Sequence, residues 1–141
     1  MATMDRRGFL AVCAVAPVLP LASACARMSY VPGTIAPDGR LLVGRAEFAS
    51  QPFALVDAPG LEFPVYVHQH SADEFSAVLT RCMHRGCTVE PGEGKLVCPC
   101  HGSEYTSVGA VLKGPTQAPL TRFPVTADAQ NVYIDVSGAR R

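Results

Sequence analysis

Two short stretches hold the side chains best able to do chemistry, CMHRGC at residues 82–87 and CPCHGS at 98–103. Together they offer four sulfurs and two imidazoles: Cys82, His84, Cys87, Cys98, Cys100 and His101. Thiolates and imidazoles are the ligands of zinc and related metal sites. A zinc site takes four ligands, often from C-x2-C pairs, whereas six candidates occur here with the spacings C-x-H-x2-C and C-x-C-H. One residue between Cys82 and His84 in an extended loop lets both side chains converge on one centre. Two residues between Cys98 and His101 allow the same through a turn. Cys87 and Cys100 are then left over, one per loop, and in an oxidising compartment such a pair is most simply a disulfide.

No other chemistry competes for attention. The carboxylates are scattered, with no paired acids and no Ser–His–Asp signature for hydrolysis. No glycine-rich phosphate loop occurs. His68 and His70 flank Gln69 at the end of a strand-like run and so point to one face, which reads as a solvated strand end rather than a metal site. The formal net charge of +0 leaves no electrostatic footprint for nucleic acid.

The first 26 residues belong to transport rather than to the fold. Arg6 and Arg7 precede Gly8–Ala26, a run of nineteen uncharged residues. A basic start, an apolar stretch and the small residues of LASACA make an export signal. DRRGFL resembles the twin-arginine signal that carries folded proteins across the bacterial inner membrane. Three endings remain open: cleavage after the small residues, lipidation at Cys25, or retention as a membrane anchor, which nineteen residues just permit. All three place the domain outside the cytoplasm. Cutting before Cys25 leaves ten basic and eleven acidic side chains, so the mature domain is close to neutral.

Residues 27–40, RMSYVPGTIAPDGR, read as a polar linker broken by Pro and Gly. From 41 to 138 the pattern is one β domain. RLLVGRAEF, PFALVDA, FPVYVHQ, EFSAVLT, GKLVCP, GAVLKG, TRFPVTA and NVYIDVS are short apolar or alternating runs. APG (58–60), SAD (71–73), EPGEG (90–94) and ADAQN (127–131) separate them as turns. Outside the leader no long window keeps a 3.6-residue period. The spacing predicts a small all-β, antiparallel domain with stacked sheets, against the alternative of a mixed α+β domain.

CMHRGC with CPCHGSEY resembles the two loops of a Rieske [2Fe-2S] protein of the high-potential, disulfide-containing type. The resemblance extends from LEFPVYV (61–67) to GPTQAPL (114–120), the latter similar to the proline-rich segment that packs against the cluster. It implies one [2Fe-2S] cluster, with Cys82 and Cys98 on the inner iron, His84 and His101 on the outer iron, and a Cys87–Cys100 bridge. It also places Ser103 and Tyr105 where the family has hydroxyls bonded to a cluster sulfur and to the first cysteine sulfur. Neutral imidazoles in place of two thiolates remove negative charge and ease reduction, with Rieske potentials of about −150 to +300 mV.

The resemblance further implies a redox subunit or carrier with no substrate chemistry of its own. The expected setting is periplasmic, tethered to the inner membrane, with a c-type cytochrome as acceptor. Alternatives are the iron–sulfur subunit of a quinol–cytochrome c reductase, with cytochrome b as partner, or the small subunit of a molybdopterin oxidoreductase of the arsenite-oxidase kind. A ring-hydroxylating oxygenase ferredoxin fits worse, because those lack the disulfide and the export signal. The chain departs from the quinol-oxidising pattern in three places. Only ten residues separate Cys87 from Cys98, Met83 replaces the usual Thr, and Arg85 replaces the usual Leu. At Arg85 two readings stand side by side: a solvated charge at a variable position, or a contact for an acidic partner.

Overall fold

Leu41 and Val43 are buried while Leu42 and Gly44 are half exposed, the alternation of a strand with one covered face. Val132 and Ile134 alternate with Asn131 and Tyr133 in the same way. The structure, a computed structural model, describes residues 28–139. The export segment, with Arg6, Arg7 and Cys25, lies outside the described residues.

The strands are β1 (Tyr30–Pro32), β2 (Thr34–Ile35), β3 (Leu41–Gly44), β4 (Phe53–Asp57), β5 (Val65–Gln69), β6 (Phe75–Leu79), β7 (Glu90–Gly92), β8 (Lys95–Val97), β9 (Glu104–Tyr105), β10 (Val111–Lys113), β11 (Arg122–Phe123), β12 (Val125–Ala127) and β13 (Asn131–Ile134). Among the described residues, the helical turns are two 3-10 segments, Arg45–Phe48 and Ser137–Ala139. The strands form three sheets, ordered β1-β4-β5-β6-β11, β12-β13-β3-β2 and β10-β9-β8-β7. The expected all-β class holds.

The first of these sheets lies in the middle, and its sequence explains why. β4, β5 and β6 are buried on both faces, so they read as near-continuous apolar runs. Register sorts their side chains. Ala54, Val67 and Ala77 are cross-strand partners and join Val56 and Val65 in one core with Leu41, Val43, Val132 and Ile134 of the second sheet. On the opposite face Leu55, Tyr66 and Val78 pair across the strands and pack with Cys82, Val89, Leu96, Cys98, Tyr105 and Leu120. Cys82 and Cys98 are therefore rooted in a core of their own. That core rests on the outer face of the central sheet.

Of the expected linker 27–40, the described residues 28–40 are more than a tether. β1 pairs with β4, and β2 pairs with β3, so this stretch adds an edge to each of two sheets. The β1–β4 pairing is parallel, the exception to the antiparallel rule elsewhere. The chain changes sheets at Gly33, where a Cβ would meet Leu41 Cδ1 at 2.5 Å, Val56 Cγ1 at 2.8 Å and the Asp57 carbonyl oxygen at 2.9 Å. Gly33 marks a close approach, not a loose joint. TRFPVTA also divides: β11 joins the central sheet and β12 the second, with the break at Pro124, which has no N–H to continue a ladder. RLLVGRAEF is a strand only to Gly44, after which a 3-10 turn buries Phe48 edge-on against Phe75. In EPGEG the turn is Glu93–Gly94, with φ of 40° and 78°, because Glu90–Gly92 already belong to β7.

Candidate metal centre

The two loops share one backbone frame. In the first, Cys82 N–H donates to the Cys87 carbonyl at 2.7 Å and Gly86 N–H donates to the Cys82 carbonyl at 2.8 Å. In the second, Cys98 N–H donates to the Ser103 carbonyl at 2.8 Å and Gly102 N–H to the Cys98 carbonyl at 3.0 Å. Both frames need a left-handed residue in fifth place, and Gly86 (φ 76°) and Gly102 (φ 74°) supply it. The repeat C-x-x-x-G carries this frame in the sequence, and spacing between ligands alone does not reveal it. Within it Cys82 corresponds to Cys98, and Arg85 corresponds to His101.

The disulfide expected between Cys87 and Cys100 is present and ties the loops together. The Cys98 sulfur lies within 4.8 Å of both bridged sulfurs. Cys82 and Cys98 are free and almost fully buried, at 1% exposure each. His84 and His101 are exposed and meet edge to face, with ring centroids 4.8 Å apart. The structure thus brings the four predicted ligands into two sorted pairs, thiols inside and imidazoles outside. A single zinc ion would gather its four ligands around one point. Sorting by ligand type fits a two-iron group better, with sulfur on one iron and nitrogen on the other.

Burial alone would raise the Cys82 thiol, but donors surround it: the Tyr105 hydroxyl, the His84 and Arg85 backbone amides, and Cys98. Their combined effect holds it below the usual thiol range. Burial and the neighbouring Cys82 push Cys98 up, against the opposing pull of the Cys100 and His101 amides. The amides sit at the same offsets in both loops, two and three residues after the cysteine. Each sulfur therefore has a nest of N–H donors that favours its anionic form.

Tyr105 is fully buried, and its hydroxyl lies 3.3 Å from Cys82 Sγ while accepting the Met83 N–H at 3.3 Å. Toward a Cys82 thiolate, which can only accept, the hydroxyl is the donor. Ser103 is also fully buried, and its Oγ accepts the Thr116 N–H at 3.1 Å, which leaves its own proton available. Sequence reasoning missed Thr116. It pins GPTQAPL to the second loop, and only its place beside Pro115 hinted at a structural part. Leu120 anchors the far end of that segment in the core beneath the site.

His68 and His70 do share a face, with rings 4.6 Å apart, but the end is not simply solvated. His70 Nε2 pairs with Ser76 Oγ at 2.8 Å, while His68 is half-buried and its Nδ1 has no partner among the described residues. Burial, then the charge of His70, lowers the His68 pKa.

Comparison with known proteins agrees with this geometry. The Rieske [2Fe-2S] domain model matches residues 43–124. The cytochrome b6-f complex iron-sulfur subunit of Prochlorococcus marinus (strain MIT 9303) is 42% identical over 55 residues, 38% of this chain and 31% of that protein. The chain thus spans about a third of the length of the curated relatives it matches. Among solved structures, the plasma membrane Rieske protein PetC3 from Synechocystis PCC 6803 is 31% identical with a TM-score of 0.58, covering 67% of this chain and 99% of that one. A complex of oxygenase and ferredoxin in carbazole 1,9a-dioxygenase, 24% identical with a TM-score of 0.50, shares the fold. Among the described residues, no helix is long and apolar enough to cross a membrane.

Proposed function

Since this chain belongs to the Rieske [2Fe-2S] domain family, and its cofactor is a [2Fe-2S] cluster, we propose that Cys82 and Cys98 hold the inner iron and His84 and His101 the outer one. The protein then carries single electrons on the outer face of the bacterial inner membrane, to a c-type cytochrome or a similar acceptor. The observation that carries this reading is the sorting of the donors. Two thiols are buried in the core beneath the loops, and two imidazoles stand exposed at the tip.

The bound cluster supplies a one-electron redox centre; the chain supplies everything around it. Leu96, Tyr105 and Leu120 keep water from the sulfur side. Tyr105 and the loop amides aim donors at the Cys82 sulfur, where negative charge grows on reduction, and Ser103, whose Oγ accepts from Thr116, keeps its own proton free to donate. The exposed imidazoles give the electron its shortest route to a partner. Arg6–Arg7 and the apolar run after them provide export of the folded, loaded protein.

The test has two arms. Purified, reduced protein is mixed with an oxidised c-type cytochrome in a stopped-flow instrument, and single-electron transfer is expected. Arg6→Lys with Arg7→Lys should retain the protein in the cytoplasmic fraction; unaltered export would remove the twin-arginine part. The relatives named as cytochrome b6-f subunits favour a second reading, the iron–sulfur subunit of a quinol–cytochrome c reductase. If the protein restored quinol oxidation to such a complex stripped of its own Rieske subunit, that reading would replace the separate carrier.

A further inference from the structure

Charge is distributed unevenly over this protein. The described residues hold eleven carboxylate side chains and seven lysines and arginines. Yet the three loops around the imidazoles, residues 81–88, 98–103 and 114–120, hold two arginines and no carboxylate. Those arginines are Arg81 and Arg85, both exposed and neither in a salt bridge among the described residues. Lys95 and Lys113, by contrast, are both taken up by Glu104.

Position gives the two arginines a role. Arg85 occupies in the first loop the place that His101 occupies in the second, directly after exposed His84. Arg81 stands at the root of the same loop. Its guanidinium caps the Phe63 ring at 6.0 Å, and its Nε lies 3.6 Å from where a Gly86 Cβ would be. Met83, 45% exposed, adds an apolar side chain to the same loop. The tip therefore combines two imidazoles, one thioether and the unpaired cation of Arg85, with Arg81 at the root of the loop beside Glu62 and Phe63.

We propose that this cationic tip is a docking face selective for a redox partner with an acidic rim around its own electron entry point. The proposal rests on the electron-carrier reading and adds the chemistry of the partner. At physiological ionic strength charges act over about 8 Å. A partner touching the tip then responds mainly to Arg85, with a smaller contribution from Arg81 beside Glu62, and little to the carboxylates of the layers behind. Such charges act on encounter and orientation more than on the lifetime of the complex.

The experiment compares two oxidised c-type cytochromes, one acidic and one basic, as acceptors from the reduced holoprotein at about 0.15 M salt. The quantity read is the ratio of the two second-order rates. A change in the cluster's potential alters the driving force to both acceptors and largely cancels in that ratio. Arg85→Gln should lower the acidic-to-basic ratio about threefold, and Arg81→Gln with Arg85→Gln somewhat further. Arg40→Gln, in the far layer and paired with Asp38, should leave the ratio unchanged. Cluster content measured on each variant excludes simple misfolding. A ratio that does not respond to either arginine, or responds equally to Arg40→Gln, overturns the proposal. Absence of transfer to both cytochromes, with a cluster that still cycles chemically, would instead remove the electron-carrier reading.

Discussion

Tyr105→Phe deletes one oxygen atom and leaves the ring in the fully buried place it occupies now. Two hydrogen bonds disappear, the donation to Cys82 Sγ and the acceptance from Met83 N–H, both 3.3 Å long. Their consequences separate. The bond to sulfur exists in both redox states, so only its strengthening on reduction moves the potential. A hydrogen bond to a charged group contributes about 1.5–3 kcal/mol and an ordinary one about 1. A gain of about 1 kcal/mol on reduction is therefore reasonable, and at 59 mV per factor of ten it corresponds to about 40 mV. The potential should fall by that amount, because the lost donor favoured the more negative state. The Met83 amide is near the exposed tip, where water can replace the lost acceptor. Stability should then drop by only about 1 kcal/mol, at the low end for an unsatisfied group. A redox titration followed by visible circular dichroism reads the first effect, and denaturant unfolding reads the second. A potential within about 10 mV of wild type, with the cluster spectrum intact, would refute the role given to Tyr105.

Other outcomes follow from the same structure. Cys87→Ser with Cys100→Ser removes a cross-link spanning thirteen residues, and by loop entropy should cost about 3 kcal/mol in denaturant unfolding while leaving all four proposed ligands in place. Gly33→Ala should cost more than about 2 kcal/mol, because the new methyl group meets backbone as well as side chains; a neutral result would mean that β1 and β2 are dispensable. Asp128 accepts the Gln130 and Asn131 amides and the Tyr133 hydroxyl, and these lower its pKa. Its contribution to stability is present above the unfolded carboxylate pKa of about 3.9 and is lost as pH falls through the lower folded value. Asp128→Ala should accordingly narrow the gap between neutral and acid stability, measured by melting temperature across pH 2–7.

What could be read from the sequence was local. Cys82, His84, Cys98 and His101 are close in the chain to the partners they need, so their spacing already limited the chemistry. The short apolar runs likewise announced strands, because period and turn residues are properties of neighbours. Sheet membership was not legible, since it depends on pairing across the chain. Thr34–Ile35 became part of a sheet through Leu41 and Leu42, and Tyr30–Pro32 through Leu55 to Asp57. A stretch rich in Pro and Gly looked like a tether because close packing at Gly33 and freedom at a hinge call for the same residue. Thr116 and Arg81 escaped notice for a related reason. Each gains meaning only when a distant segment is folded against a loop.

Two thiolates and two imidazoles sorted onto two different irons would leave a direct spectroscopic mark. Mössbauer spectroscopy of the protein enriched in iron-57, with parallel assays of iron and acid-labile sulfide, tests for it most directly. Two irons and two sulfides per chain are expected, with two inequivalent iron signals in the oxidised protein and the added electron localised on the nitrogen-ligated iron. Zinc without sulfide, or two equivalent irons both bound by sulfur, would contradict it.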